Sequence, residues 1–366
     1  MSAEEACRRI VARLSGEPLL TAADGRALVR LADGPIPRIV AWTHEDKAAK
    51  GLRKLAADAV PQPPVHFTVA EMVQETPALL LTGEAGSGRT TLARHLAQTL
   101  AQARLAGAWP DAGPIARNDL GDALPEAWPG PWPLPVLLSA EPGATLAQVM
   151  ARDGTGAPGD EPVLLVLDDV ERAGERATAL LAEASAWAAG RAGSRVLALA
   201  DAAEAAGWRL PEGWTRLGML PLLAAQRRRF VAAHGLAVPG EAPFAPAASN
   251  ASLFALSLDG PGHGASEEAI VADWLATRGE AAKAFPALAA ETLADRDADG
   301  LPPALRPRRV RQLLAAAGLA GEAPAAVAAI FAGAPQLWAP VVASLLGRAG
   351  PVRRDAVAAA LVGLPG

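Results

Sequence analysis

The stretch from Ala78 to Gln102 constrains this chain more than any other part of it. An uncharged apolar run, Ala78-Leu79-Leu80-Leu81, meets a glycine-rich segment, Gly83-Glu84-Ala85-Gly86-Ser87-Gly88-Arg89-Thr90-Thr91, and then helix formers at helical spacing from Thr91 to Gln102. An apolar run bounded by a glycine turn and a helix reads as a strand buried on both faces. Such strands belong to parallel sheets covered by helices, which commits this region to an α/β architecture.

The residue types of the turn carry a chemistry. At the start of a helix the first backbone N–H groups have no partner, and they favour anions. Glycines at 83, 86 and 88 allow the backbone to curl around phosphate oxygens without Cβ clashes. The spacing is that of a phosphate-binding loop, so residues 83–91 are expected to hold a nucleotide. Thr90 would offer its hydroxyl to Mg²⁺, and Thr91 would cap the helix or touch the α-phosphate. A glycine-rich turn without a ligand is the alternative.

Arg89 occupies the place where the motif carries lysine. Lysine is a slim point charge that reaches the β- and γ-phosphates, whereas guanidinium is wide, planar and prefers a two-pronged grip. Binding survives such an exchange more easily than transition-state geometry does. Only Lys47, Lys50, Lys54 and Lys283 are lysines among 34 basic residues, so a drift toward arginine also accounts for the exchange. None lies between 55 and 282, so no nearby lysine can take over the role.

A second apolar run, Val163-Leu164-Leu165-Val166-Leu167, ends in Asp168-Asp169-Val170-Glu171. Ligands of an open parallel sheet collect at strand C-termini, so these carboxylates are expected to face the phosphates. Asp168 is the candidate Mg²⁺ residue, acting through water. Glu171 or Asp169 is the candidate catalytic base that would polarise an attacking water. In the alternative, the acidic pair merely caps the following helix.

Elsewhere composition mainly excludes. Hydrophobic residues make up 51% of the 366, which rules out a disordered chain, and the net charge of −5 offers no overall attraction to nucleic acid or an anionic membrane. The clusters Arg227-Arg228-Arg229 and Arg306 to Arg311 read as arginines on solvated helix faces. Cys7 stands alone and the first residues are acidic, so a cytoplasmic location is expected. The 24 uncharged positions 324–347 could cross a bilayer by length, but prolines at 324, 335 and 340 argue for short buried helices. No metal-ligand spacing and no nucleophile triad is visible.

Along the chain, residues 1–60 read as helical, with a turn at Asp33 to Pro37 and a basic amphipathic piece from Lys47 to Lys54. A proline-rich connector over 61–77 begins at Pro61-Gln62-Pro63-Pro64. The nucleotide core spans 78–205, with further strands at Val136 to Leu138 and Arg195 to Ala200. It contains a long loop over 107–135, holding seven prolines with Trp109, Trp128 and Trp132, whose rings either pack the loop on the core or offer a partner a surface. A Gly/Pro turn occupies 153–161. Residues 206–260 read as a helical subdomain and 261–366 as a helical region with a winged-helix-like option. The fold class is thus α/β: a P-loop NTPase parallel sheet with flanking helices, a helical N-terminal region and all-helical C-terminal subdomains.

From Ala78 to Arg278 a succession of segments resembles the NACHT branch of the STAND signalling NTPases, relatives of AAA+ ATPases. The segments are LLLTGEAGSGRTTLARHLA, LPVLLSA with TLAQVM, PVLLVLDDVERA, GSRVLALAD, LGMLPLLAAQRRRFVAAHG, NASLFALSL and EEAIVADWLATR. The resemblance implies ATP or ADP with Mg²⁺, held by Gly83 to Thr91 and by Asp168, with the acid of the hydrolytic step at Glu171. It also implies a regulatory switch that acts by self-association or through a protein partner, in signalling or defence. Three departures point to weak or absent hydrolysis. Arg89 replaces lysine, the sensor strand ends Leu199-Ala200-Asp201 without an arginine, and Ala251-Ser252 stand where a proline contacts adenine. Sensing in the family belongs to repeats beyond the helical part. Here it is expected from residues 1–60, from the last hundred residues or from another polypeptide. The other readings are a pseudo-NTPase scaffold and an active AAA+-like ATPase.

Overall fold

The computed structural model describes residues 2–21, 27–41, 66–110, 128, 130–153, 161–295 and 301–364. The chain divides into two compact units, one formed by 1–20 with 27–235 and the other by 236–366 with the short 21–26 piece. The boundary falls within the 206–260 segment that the sequence reads as one helical subdomain.

The first unit is built on five parallel strands: β5 (Ala78–Gly83), β6 (Leu134–Ser139), β7 (Val163–Asp168), β8 (Arg195–Asp201) and β9 (Trp214–Gly218), ordered β6-β7-β8-β5-β9. The loop-bearing strand therefore lies between the two strands that come last in the chain. Side chains alternate across the sheet, as a period of two dictates. Leu79, Leu81, Leu164, Val166, Leu197 and Leu199 pack on one face with α2 (Val69–Glu75) and α3 (Arg89–Ala106). Leu80, Leu165, Leu167, Val196 and Ala198 pack on the other with α1 (Ala3–Leu14), α4 (Leu146–Asp153) and α5 (Ala177–Ala189). Burial on both faces explains why these strands read as unbroken apolar runs.

Three differences from the sequence reading have physical reasons. First, α1 and a single 3₁₀ turn, Leu31–Asp33, are the only helical pieces among the described N-terminal residues. β1 (Pro18–Thr21) pairs with β2 (Ala27–Arg30), and β3 (Ile39–Ala41) pairs antiparallel with β4 (His66–Thr68). Short Leu-Leu, Leu-Val and Ile-Val pairs between prolines and glycines suit extended backbone, and their shortness masked that signal. Second, 66–77 is structured and is no connector. Thr68 and Glu71 form a reciprocal capping box, Glu71 N–H to Thr68 Oγ1 at 3.2 Å and Thr68 N–H to Glu71 Oε2 at 2.7 Å. That Thr-x-x-Glu signature was present and unread. Third, Trp214–Gly218, between α6 (Ala202–Ala205) and α7 (Ala224–Ala233), is a strand within the presumed helical subdomain, a half-buried one at the sheet edge and too short to announce itself.

Residues 42–65, with the Lys47 to Lys54 piece and the proline cluster at 61–64, lie outside the described residues. So do 111–127 and 129 of the Trp/Pro loop and 154–160 of the following turn. Of the loop's tryptophans, Trp128 is buried and Trp109 and Trp132 pack partly on the same core, with the Trp109 and Trp128 rings 6.4 Å apart.

The second unit holds helices and, among the described residues, no strand, so the winged-helix-like option finds no wing there. Its helices include α8 (Ala251–Leu258), α9 (Glu267–Ala276), α10 (Phe285–Glu291), α11 (Arg308–Gly318), α12 (Pro324–Gly333), α13 (Pro335–Arg348) and α14 (Pro351–Val362). Val327, Val341, Leu345 and Val357 join the core under α11. The uncharged 324–347 run is broken at Ala334 into two helices, and among the described residues no helix is long and apolar enough to cross a membrane.

Two arginines depart from the solvated-face reading. Arg227 and Arg311 are each 2% exposed. Arg311 Nη1 donates to the carbonyls of Thr292 and Asp295, so the helix turn after α10 is tied to α11 through a buried cation.

Candidate functional site

The site forms where β5, β7 and β8 end. Gly83 closes β5, and the loop folds back through a turn in which Ser87 N–H donates to the Glu84 carbonyl at 3.0 Å. Gly86 and Gly88 adopt φ of 77° and 90°, the left-handed region that side chains disfavour, and Gly88 caps α3 with no side chain of its own. A Cβ at Gly83 would stand 2.6 Å from Ser87 Oγ, 3.3 Å from Met219 Sδ and 3.4 Å from Arg89 Cγ. The loop is therefore drawn tightly over the strand end. Met219 is held there by its N–H to the Thr82 carbonyl at 2.8 Å, and Leu220 N–H bonds Ile39 at 3.0 Å.

Arg89, Thr90 and Thr91 are the first residues of α3, and their N–H groups lie in the helix turn that has no internal acceptor. Thr90 and Asp168 are brought together: the Thr90 side chain hydrogen-bonds the Asp168 carboxyl. These two hard oxygen ligands are the pair expected for Mg²⁺. Asp168 is 3% exposed, and its carboxyl is raised to about 6, chiefly by burial and then by the neighbouring Asp169 charge.

Asp169 has φ 53°, the one described non-glycine residue with a positive φ, and its side chain makes no capping hydrogen bond. Asp169 therefore does not cap the segment that follows it. Its N–H instead bonds Asp168 Oδ1 at 3.0 Å, and the left-handed bend turns the chain from β7 into a short 3₁₀ segment, Val170–Arg176, that carries Glu171 back toward the loop. Strain of this kind persists only where the surroundings impose it.

Arg89 does not extend along the loop in the manner of a phosphate-reaching lysine. Its Nη2 lies 3.2 Å from Glu171 Oε1 and 3.7 Å from Asp201 Oδ2. Arg89 and Glu171 side chains are 12% and 9% exposed, so the ion pair is buried. Glu171 is pushed up to about 7, first by burial, with Asp169 and Asp201 adding to it and Arg89 opposing.

The sequence alone does not show that Asp201, the end of a strand lacking an arginine, lies at the loop, yet the sheet register sets it directly beside Gly83. The signal was an acid at the end of an otherwise apolar strand; its meaning depended on β8 lying next to β5.

Several buried polar atoms in this cluster have no hydrogen-bond partner among the described residues: Ser87 Oγ, Arg89 Nη1 and Glu171 Oε2. Orphaned buried polar atoms are rare and ask for a ligand or solvent partner. Of these, Ser87 Oγ and Arg89 Nη1 are donors, and with the positive-φ loop and the Thr90–Asp168 pair they fit a nucleotide phosphate chain with its metal. No group of three or more His, Cys, Asp or Glu poised for a metal occurs among the described residues. Mg²⁺ bound in the ordinary nucleotide manner needs only one or two protein oxygens, the rest coming from phosphate and water.

Residues 66–187 match the family model of the AAA ATPase domain. No curated protein matches the chain. Among solved structures, that of Drosophila ORC bound to DNA is similar over 98% of this chain and 83% of that one, at 14% identity and a TM-score of 0.28. A likeness at that level says nothing of this chain's partners. The sheet order, the phosphate loop with its facing acids and the family match agree on an AAA+-type P-loop nucleotide-binding fold for this part of the chain.

Proposed function

We propose that the chain is a nucleotide-binding regulatory switch of the NACHT/STAND type, with weak or absent hydrolysis, acting through self-association or a protein partner. ATP or ADP is the ligand. Gly83 to Gly88 and the N–H groups of Arg89, Thr90 and Thr91 hold the phosphates, and Thr90 with Asp168 holds the Mg²⁺. The bound ion would neutralise phosphate charge. The residues' own part is positioning: the loop orients the phosphates, and the sheet end excludes water on the β7–β8 side.

The observation that carries this reading is the buried Arg89–Glu171 pair. The cation that should reach the terminal phosphates is held by the acid that should activate water. Each holds the other through one atom, Arg89 Nη2 on Glu171 Oε1, which turns both away from their roles in turnover. Glu171 remains the candidate base, with Asp169 as the substitute.

Isothermal titration with Mg²⁺–ADP and Mg²⁺–ATP tests binding, and a phosphate-release assay tests turnover. The reading expects binding heat with little or no release. Absence of binding heat with either nucleotide at millimolar concentration, in protein stripped of any nucleotide it carries, overturns it. That result would favour the scaffold reading, which the internal pairing of Arg89 with two carboxylates also supports. Rapid steady release would favour an active ATPase.

A further inference from the structure

We infer that Asp201 is a specificity-determining residue that makes this site favour a nucleoside diphosphate over the triphosphate. The inference rests on the reading that Gly83 to Thr91 bind a nucleotide.

The loop's cation is spoken for twice. Arg89 Nη2 stands 3.2 Å from Glu171 Oε1 and 3.7 Å from Asp201 Oδ2. Asp201 is fixed there by two constraints. The sheet register pairs it with Gly83, the first residue of the loop. Its Oδ1 also accepts from the Ala203 N–H at 3.0 Å, which leaves Oδ2 turned toward Arg89. Asp201 is 8% exposed and Glu171 9%, so solvent does little to screen either carboxylate.

A phosphate chain lying along the loop presents its outermost group to the strand ends, where lysine normally meets the β- and γ-phosphates. Here that place holds one guanidinium between two carboxylates. The α- and β-phosphates keep their backbone donors and their metal, because those do not depend on Arg89. A third phosphate would meet two carboxylates, Asp201 and Glu171, that share a single guanidinium, so the side chains there carry a net negative charge. Like charges placed so close disfavour each other strongly where water is scarce.

Asp201 could instead be no more than a helix cap. Asp201→Asn separates the two roles, because asparagine is an equally good cap and carries no charge. Asp201→Ser is a second neutral capping variant. Titration of the full chain with Mg²⁺–ADP and Mg²⁺–ATP, after a melting check on each variant, should show ADP bound at least tenfold more tightly by the wild type. In Asp201→Asn that ratio should shrink at least fivefold, chiefly through tighter ATP binding. Equal affinities in the wild type, or an unchanged ratio in both variants, overturn the role of Asp201 and leave nucleotide binding standing. Binding of neither nucleotide by any form removes the nucleotide reading and this inference with it.

Discussion

Replacing Glu171 by glutamine should stabilise the ligand-free protein at alkaline pH and leave it unchanged at acid pH. The side chain is nine-tenths buried, and its carboxyl is raised from 4.5 to about 7, with burial the largest cause. A carboxyl whose pKa is higher folded than unfolded binds more protons in the native state between those two values. Stability therefore falls as pH rises through that window. Above pH 8 the charged form carries the full penalty. At about 1.4 kcal/mol per pH unit, that amounts to roughly 3 kcal/mol, already net of the attraction to Arg89. Glutamine mimics the protonated acid in shape and has no charge to bury. Urea unfolding of wild type and Glu171→Gln, followed by tryptophan fluorescence, should give nearly superimposable curves at pH 4 and a gain on the order of 3 kcal/mol for the variant at pH 8.5. Loss of stability in the variant at pH 8.5 would refute the reasoning, since it would mean that the ion pair with Arg89 outweighs the cost of burying the charge. A gain of equal size at both pH values would show a packing effect unrelated to ionisation.

Other outcomes follow from the same geometry. Arg89→Lys should raise ATP turnover at least tenfold over the wild type in a phosphate-release assay, because lysine reaches phosphate as a point charge; no gain would place the defect at the Asp201 end of the sheet as well. Gly83→Ala should cost at least tenfold in Mg²⁺–ADP affinity by titration, about 1.4 kcal/mol, since its Cβ meets Ser87 Oγ at 2.6 Å and the loop must shift. Arg311→Met should lower the second unit's unfolding free energy by about 1–3 kcal/mol through two buried carbonyls left without donors, leaving nucleotide affinity untouched.

Much of the sheet was legible because its strands are buried on both faces. Leu79 to Leu81, Val163 to Leu167 and Val196 to Ala200 have no polar residue to interrupt them, and helices between them compel a parallel arrangement. β9 escaped notice because an edge strand five residues long carries Thr215 and Arg216 and only half-buried side chains. β1 to β4 were hidden for a related reason, being strands of only three or four residues. Within the site, local spacing was enough to place Thr90 and the loop on one turn of chain. The meeting of Thr90 with Asp168 was expected from the rule that ligands gather at strand ends. The pairing of Arg89 with Glu171 and Asp201 was not legible. It depends on β8 inserting between β5 and β7 and on the left-handed bend at Asp169, both of which are tertiary facts.

The central claim is that Gly83 to Thr91 cradle a nucleotide that the chain keeps and scarcely turns over. Its most direct test is to release and quantify what the purified protein holds: denature it in acid, separate the supernatant by ion exchange, and compare the yield after incubation with excess Mg²⁺–ATP for an hour at 25 °C. The account predicts close to one adenine nucleotide per chain, with free ATP in the incubation undiminished. A chain that releases none before or after incubation, or one that converts the whole ATP pool to ADP, would contradict it.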